Sequence, residues 1–158
     1  MRNVVLAATT LLVGLSAGVF FAYSTSVMLA LHKVEDRTFI DVMQKINTSI
    51  LNGWFLTVYV GALLLTIAAV LLHLPAGRRA PLPWLLATLV LYGIVFVVTA
   101  ALNVPMNNTL DAAGPVAAIA DPAAVRQAFE GPWVGWNLVR SVASAGSLLT
   151  VAVALLRA

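Results

Sequence analysis

Arg140 lies inside an apolar stretch that is long enough to cross a membrane. No further charge follows it as far as Leu156. Asn137 precedes it by about one helical turn, and Ser141 and Ser144 follow on the same side. A charge at that depth costs about 2.5–3.5 kcal/mol on insertion scales unless it reaches water or finds a partner. Arg140 therefore indicates either a functional site or a structural network in which it binds loop carbonyls and Asn side chains.

Other polar groups are expected at a similar depth on the same side of the molecule. At about 1.5 Å per residue, Tyr23 lies roughly 12 Å inside its span, and Tyr59 and Arg140 lie roughly 9 Å inside theirs. On the same count Thr99 lies roughly 6 Å inside its span. The asparagines expected just above this layer are Asn103, Asn107 and Asn137. Four helices thus deliver polar groups to one level.

The composition is that of an integral membrane protein. Of the 158 residues, 61% are hydrophobic and 9% are charged, whereas soluble domains carry about 25% charged residues. The net charge of +3 comes without a basic run, so nothing indicates nucleic-acid binding. Cysteine is absent, which excludes disulfides, thiolate metal sites and CxxC redox chemistry. His32 and His73 are expected near opposite membrane faces, so no metal site is predicted.

The predicted architecture is all-α, a single membrane domain (1–158) built as a bundle of four transmembrane helices. The hydrophobic segments predict spans at about 4–31, 54–74, 82–102 and 134–156. Gly14 and Gly18 form a GxxxG pair that allows helices to approach closely. Such a pair is compatible with a homo-oligomer, although the sequence does not require one.

A short amphipathic helix is predicted at about 39–52, between the first two spans. Thr38 and Asp41 have the spacing of a capping box, and apolar residues follow at helical spacing. The segment is too short and too polar to span, so it is expected on the membrane surface or as a lid over the mouth of the bundle. Gln44 and Asn47 flank its apolar face and are expected to face either water or the bundle.

The connection between the third and fourth spans contains several residues that are typical of helix starts and ends. Pro105 disfavours helix at Val104, so the third span is expected to end there and a loop to follow as far as Trp133. Within this loop, Asp121 as N-cap and a following proline begin one short helix. Gly131-Pro132 is expected to terminate it.

Four short motifs occur in order along the chain. They are Phe20-Phe21-Ala22-Tyr23-Ser24, Met43-Gln44-x-Ile46-Asn47-x-x-Ile50-x-Asn52, Asn103-Val104-Pro105-Met106-Asn107 and Trp136-Asn137-x-x-Arg140. Together they resemble the anthrone oxygenase-like family of small four-helix membrane proteins, over nearly the whole chain. The family tends to have proline where Leu29 and Gly53 stand here, at positions that look like helix ends.

The resemblance implies oxidation of a lipophilic anthrone to an anthraquinone by molecular oxygen, without a metal or flavin cofactor. Arg140, with Asn137 and Asn103, would then stabilise the enolate of the substrate. Tyr23 or His32 would relay the proton. The residues expected to bind the substrate are Asn47, Asn107, Trp136 and Tyr59.

Two other functions remain open at this point, because a family can keep its fold and lose its activity. The same cavity would serve a non-catalytic membrane carrier of a small aromatic molecule. Arg140 would alternatively only satisfy loop carbonyls in a structural or accessory membrane protein. The expected location is a bacterial plasma membrane. Four spans place both termini and the Arg78/Arg79 turn on one side, which we expect to be cytoplasmic.

Overall fold

The structure is a computed structural model that describes residues 1–75, 77 and 79–158. The described residues form helices joined by turns, with no β-strand among them. The helices are α1 (Arg2–Leu31), α2 (Asp36–Ser49), α3 (Gly53–His73), α4 (Leu82–Ala112) and α5 (Pro122–Leu156). Of the predicted turn between the second and third spans, Arg78 lies outside the described residues.

Four of these helices, α1, α3, α4 and α5, are long and apolar enough to cross a membrane. This confirms the predicted all-α class with four transmembrane helices, and the chain is an integral membrane protein. Helix α5 packs against both α1 and α4, and α3 packs against α1 and α4. The inward stripe of small residues on α5 is buried between α1 and α4, and that stripe includes Ser144 and Ser147.

The half of the bundle near the termini is closed by apolar packing around Tyr92, which is fully buried. The Tyr92 hydroxyl lies 2.9 Å from Ser16 Oγ and 3.0 Å from the carbonyl of Tyr59. Other hydroxyls bond to their own helices, as Thr66 Oγ1 does to the carbonyl of Ala62 at 2.7 Å. Polar groups in this half are therefore satisfied inside the protein, as a site without water requires.

The third span does not end before Pro105, so that prediction is wrong. Helix α4 continues to Ala112 after one wide turn, Thr99–Asn103, with π-helical hydrogen bonding. Pro105 comes two residues after the end of this turn. We attribute the continuity to the turn, because the change in winding occurs where the proline removes a backbone donor.

The predicted terminator at Gly131-Pro132 is also wrong. The helix begins as predicted, with Asp121 as N-cap accepting a hydrogen bond from the backbone of Ala124 at 3.0 Å. It then runs through Pro132 and becomes the fourth span. Phe129 and Trp133, on either side of the proline, are both buried. Their packing offsets the roughly 3 kcal/mol that a proline inside a helix costs.

Helix α2 lies over the end of the bundle, the second of the two placements that the sequence allowed. Its buried face includes Phe39, Met43 and Asn47, and it packs on α4 and α5. The predicted capping box is wrong, because the helix begins at Asp36, before Thr38, and its N-cap forms no side-chain hydrogen bond. We call residues 36–49 and 104–133 together the cap.

Arg126 links the cap to the end of α1 through hydrogen bonds and ion pairs. Its guanidinium donates to Glu130 at 2.7 Å and to Asp36 at 3.0 Å. It also donates to the carbonyls of Val34 at 2.8 Å and His32 at 2.9 Å, just beyond the end of α1. The cap is thus a packed and ion-paired unit that covers one end of the four spans.

Candidate functional site

A cavity of about 220 Å³ lies between the cap and the spanning helices. Tyr23, Tyr59 and Arg140 line it on the bundle side, and Ile46 and Asn47 of α2 line it on the cap side. This volume is below the roughly 300–1,000 Å³ of sites for drug-sized ligands. The space therefore suits a small flat molecule better than a large cofactor.

The guanidinium of Arg140 faces this cavity with few partners. The residue is 5% exposed. Its Nη2 donates to Asn137 Oδ1 at 2.8 Å, its Nη1 lies 3.5 Å from Thr99 Oγ1, and its Nε has no hydrogen-bond partner. Among the residues that the structure describes, no carboxylate forms an ion pair with it. A buried cation without a counter-ion leaves room for an anion.

Two aromatic rings provide the remaining electrostatic support for Arg140. The guanidinium carbon lies 4.7 Å from the ring centre of Phe20 and 5.1 Å from that of Trp133. Cation–π contacts contribute about 0.5–2 kcal/mol each, depending on how far the pair is desolvated. The contacts hold the positive charge at the cavity wall while leaving its donors free.

Asn103 supplies an acceptor beside these donors. Its side chain is buried, and Nδ2 donates to the carbonyl of Trp133 at 3.4 Å. With the amide oriented in this way, Oδ1 has no hydrogen-bond partner among the described residues. An unpaired buried acceptor costs about 1–3 kcal/mol, so Asn103 and Arg140 together favour a ligand that carries both an acceptor and a donor.

Asn137 is held from behind by α1. Its Nδ2 donates to the carbonyl of Phe20 at 3.1 Å and to Ser24 Oγ at 2.8 Å. The Phe20 carbonyl can only accept, so the amide nitrogen must face α1 and the amide oxygen faces Arg140. Ser141 Oγ strengthens this junction by donating to the same Phe20 carbonyl at 2.9 Å. The orientation of the guanidinium is therefore fixed by the contact between α1 and α5.

Aromatic side chains form the walls of the cavity. Tyr59 is stacked between Phe55 and Phe96, with ring centres 5.5 and 5.1 Å away and interplanar angles of 7° and 5°. On another side, Tyr23 packs against Trp133 at 5.7 Å, and Trp133 Nε1 donates to Asn107 Oδ1 at 2.8 Å. Such flat surfaces favour a planar aromatic ligand.

Both π-helical turns of the structure's described residues lie at this cavity. One, Tyr23–Val27, begins at a lining residue of α1, and the other, Thr99–Asn103, begins and ends at lining residues of α4. Turns of this kind occur frequently at functional sites. Here they rotate the helix ends so that polar side chains face the cavity.

Seven of the nine predicted site residues line this cavity. They are Arg140, Asn137, Asn103, Tyr23, Asn47, Asn107 and Tyr59. The structure does not bring the other two there. The side chain of His32 is 75% exposed, with Nδ1 2.8 Å from Glu130 Oε1, and Trp136 is 39% exposed on another face of α5.

The sequence did not lead us to assign Phe20, Trp133 or Asp111 to the site. The spacing of Trp133 four residues before Asn137 was the available signal, whereas nothing marked Asp111, because its helix was expected to be a loop.

The arrangement can bind and stabilise an oxygen anion on a flat aromatic molecule. The guanidinium, held by the amide oxygen of Asn137, is a fixed donor at the cavity wall, and the aromatic walls hold a ring plane. Within the described part of the chain, no group of three metal-ligating side chains (His, Cys, Asp or Glu) lies close enough to hold a metal ion.

Comparison with known proteins identifies one family. The sequence model of the family described as anthrone oxygenase matches residues 54–150, more than half of the chain. The matched region includes α3, α4 and the part of α5 that carries Asn137 and Arg140. No curated protein and no solved structure matches.

Proposed function

This chain belongs to the anthrone oxygenase family, and on that premise we propose that it oxidises a lipophilic anthrone to an anthraquinone with molecular oxygen. The reaction takes place in the cavity between the cap and the spans. The proposal rests on one observation: the buried guanidinium of Arg140 has no carboxylate partner among the described residues, and its Nε forms no hydrogen bond with them. An enolate is the anion that fits a cation of this kind at the end of an aromatic slot.

The proposed reaction balances with oxygen as the only oxidant. An anthrone carries a carbonyl at C9 and a methylene at C10, on opposite edges of its central ring. Loss of one C10 proton leaves an electron pair shared between C10 and the C9 oxygen. Oxygen takes up this pair in forming the C10–O bond, and protonation gives a hydroperoxide. Loss of the second C10 proton cleaves the O–O bond, which forms the second carbonyl and releases water.

Arg140 performs the main electrostatic task in this sequence. Its Nη groups donate to the C9 oxygen as negative charge develops there, while Asn137 keeps Nη2 in place. A preorganised donor of this type contributes about 10²–10³ in rate. Asn103 Oδ1 accepts a hydrogen bond from a hydroxyl of the substrate. Of the two suggested proton relays, Tyr23 lines the cavity and is the one that we retain.

Oxygen uptake by the purified protein in nanodiscs tests this proposal. Wild type is compared with Arg140→Met, and with Arg79→Met as a matched control, because Arg79 is an exposed residue at the other end of the bundle and donates to the carbonyl of Leu74. We expect wild type and the control to consume one oxygen per anthraquinone formed. Arg140→Met is expected to fall to the spontaneous rate while remaining folded.

Other outcomes would assign the cavity to a different role. Wild-type uptake no faster than the spontaneous rate would contradict the oxygenase proposal. Thermal stabilisation by an anthraquinone without turnover would then support a carrier. Unfolding of Arg140→Met together with no effect of any ligand would support a structural or accessory protein.

We also propose that the protein resides in a bacterial plasma membrane with both termini in the cytoplasm. The supporting observation is the dense group of arginines in the short connection after α3. Since the chain has no native cysteine, Lys33→Cys and Ala158→Cys are unique probes. A membrane-impermeant maleimide applied to intact cells is expected to label only Lys33→Cys, and labelling of only Ala158→Cys would reverse the orientation.

A further inference from the structure

We propose that Asp111 is the base that removes the C10 proton of the anthrone, and this assignment rests on the function proposed above. Asp111 lies in the last turn of α4, one of the segments of the cap, and it lines the cavity. It is the single carboxylate among the described lining residues. The site thus has a cation on the bundle side and an anion on the cap side.

A buried amide holds the carboxylate of Asp111. Asn47 Nδ2 donates to Asp111 Oδ1 at 3.2 Å, and Asn47 is itself buried on the inner face of α2. Within the described part of the chain, this is the one hydrogen bond that the carboxylate makes, and no cation pairs with it. One oxygen is therefore fixed in position and the other is free to accept a proton.

The remaining five acidic residues are engaged elsewhere or stand outside the cavity. Asp36 and Glu130 pair with Arg126, and Asp41 pairs with Lys45 at 2.6 Å. Asp121 is the N-cap of α5, and Glu35 is an exposed residue at the start of α2. Asp111 is thus distinguished both by its position and by the absence of a cationic partner among the described residues.

The two charged groups lie at different levels along α4, as binding at opposite edges of an anthrone ring requires, since Arg140 Nη1 is 3.5 Å from Thr99 Oγ1. Asp111 lies eight residues after Asn103 on a continuous helix, which is about 12 Å along the helix axis. Asn103 and Arg140 both line the cavity and both contact Trp133, Asn103 at its carbonyl and Arg140 at its ring. If Arg140 binds the C9 oxygen, the opposite edge of the central ring, which carries C10, points towards the mouth and Asp111. The aromatic walls around Tyr59 restrict rotation out of this plane.

Proton transfer to Asp111 completes the first step of the reaction. The C10–H bond breaks, its electron pair stays on the substrate and is shared with the C9 oxygen, and the proton moves to the free carboxylate oxygen. An aspartate is a weak base, so the guanidinium has to stabilise the enolate, and this combination of aspartate and oxyanion donors is known to suffice next to a carbonyl. Asp111 is exposed at the mouth, so it can pass the proton on to water.

Chemical rescue of Asp111→Ala tests the assignment in the full-length protein in nanodiscs. The control is Asp41→Ala, which removes a carboxylate of the cap that forms only an exposed pair. We expect Asp111→Ala to lose about 10²-fold or more in turnover, and added formate to restore turnover in a saturable manner. Affinity for the anthraquinone product, read from quenching of tryptophan fluorescence, is expected to stay unchanged. The control should retain wild-type turnover.

The outcomes separate this inference from the proposed function. Turnover by Asp111→Ala at the wild-type rate would overturn the assignment and leave the oxygenase proposal intact. Loss of product binding without rescue by formate would also overturn it, because Asp111 would then only hold α2 through Asn47. A wild-type protein without turnover would refute the oxygenase proposal itself, and the assignment of Asp111 with it.

Discussion

Arg126 and Arg140 lie about four turns apart on α5, and both guanidinium groups are removed from bulk water. The Arg126 side chain is 11% exposed and Arg140 is 5% exposed. Arg126 donates to two carboxylates and to backbone carbonyls of the segment after α1. Arg140 has one short hydrogen bond, to an amide, and an Nε without a partner.

The difference between the two arginines separates a structural role from a functional one. The bonds of Arg126 are made within the fold, so its charge is balanced whether or not a ligand is present. Arg140 keeps donors unused in a water-poor site, and a charge of that kind is expensive unless something binds it. We propose that Arg126 organises the cap and that Arg140 organises the cavity for a ligand.

Arg140→Met is expected to have the largest effect on turnover. We expect turnover to fall by about 10²–10³, whereas the thermal unfolding temperature without ligand should hold or rise. The reason is that methionine fills similar space and removes a buried charge whose partner is absent. Unfolding followed in detergent, with turnover measured on the same sample, checks both effects. A fall in both would assign Arg140 to the structural class.

Arg126→Met should show the opposite pattern. Its removal leaves the mostly buried carboxylate of Glu130 with exposed His32 as its remaining partner among the described residues, and breaking such a pair costs about 3–5 kcal/mol when it is fully buried. A somewhat smaller loss is expected here because Asp36 is partly exposed. Unfolding should begin at a lower temperature, while turnover per folded molecule changes far less than in Arg140→Met. Glu130→Gln added to Arg126→Met is expected to recover part of the stability, and a double variant no more stable than Arg126→Met would contradict this account of the cap.

Asn103→Leu is expected to have the smallest effect of the three substitutions, because it removes an unpaired acceptor instead of a charge. We expect the free protein to gain up to about 1 kcal/mol, since an orphaned acceptor is lost and its other hydrogen bond is long. Discrimination between hydroxylated and plain anthrones should shrink at the same time. Competition binding with the two substrates measures this, and unchanged discrimination would mean that Asn103 does not contact the ligand.

The spans were predictable because hydrophobic length alone defines them, and helical rise then sets the depth of each polar residue. That is why Tyr23, Tyr59 and Arg140 meet at one cavity. Trp136 does not reach it, because the cavity lies along the stripe through Trp133 and Asn137, and depth does not reveal which stripe is used.

The continuity of the helices through Pro105 and Pro132 was not predictable from the sequence alone. Local propensity ends a helix at either proline. The structure overrides it with a π-helical turn before Pro105 and with aromatic packing around Pro132. Asp111 escaped notice for this reason, since a residue in a presumed loop has no predictable face.

The absorption spectrum of a bound anthrone under anaerobic conditions, where oxidation cannot proceed, tests directly whether Arg140 stabilises the enolate. If Arg140 stabilises the enolate, wild-type protein should bind the anthrone as its anion at a pH where the free compound is neutral. Each unit by which binding lowers the pKa of the anthrone corresponds to about 1.4 kcal/mol of stabilisation. Arg140→Met should bind only the neutral form. A neutral spectrum in wild type, or an anion that persists in Arg140→Met, would contradict the account.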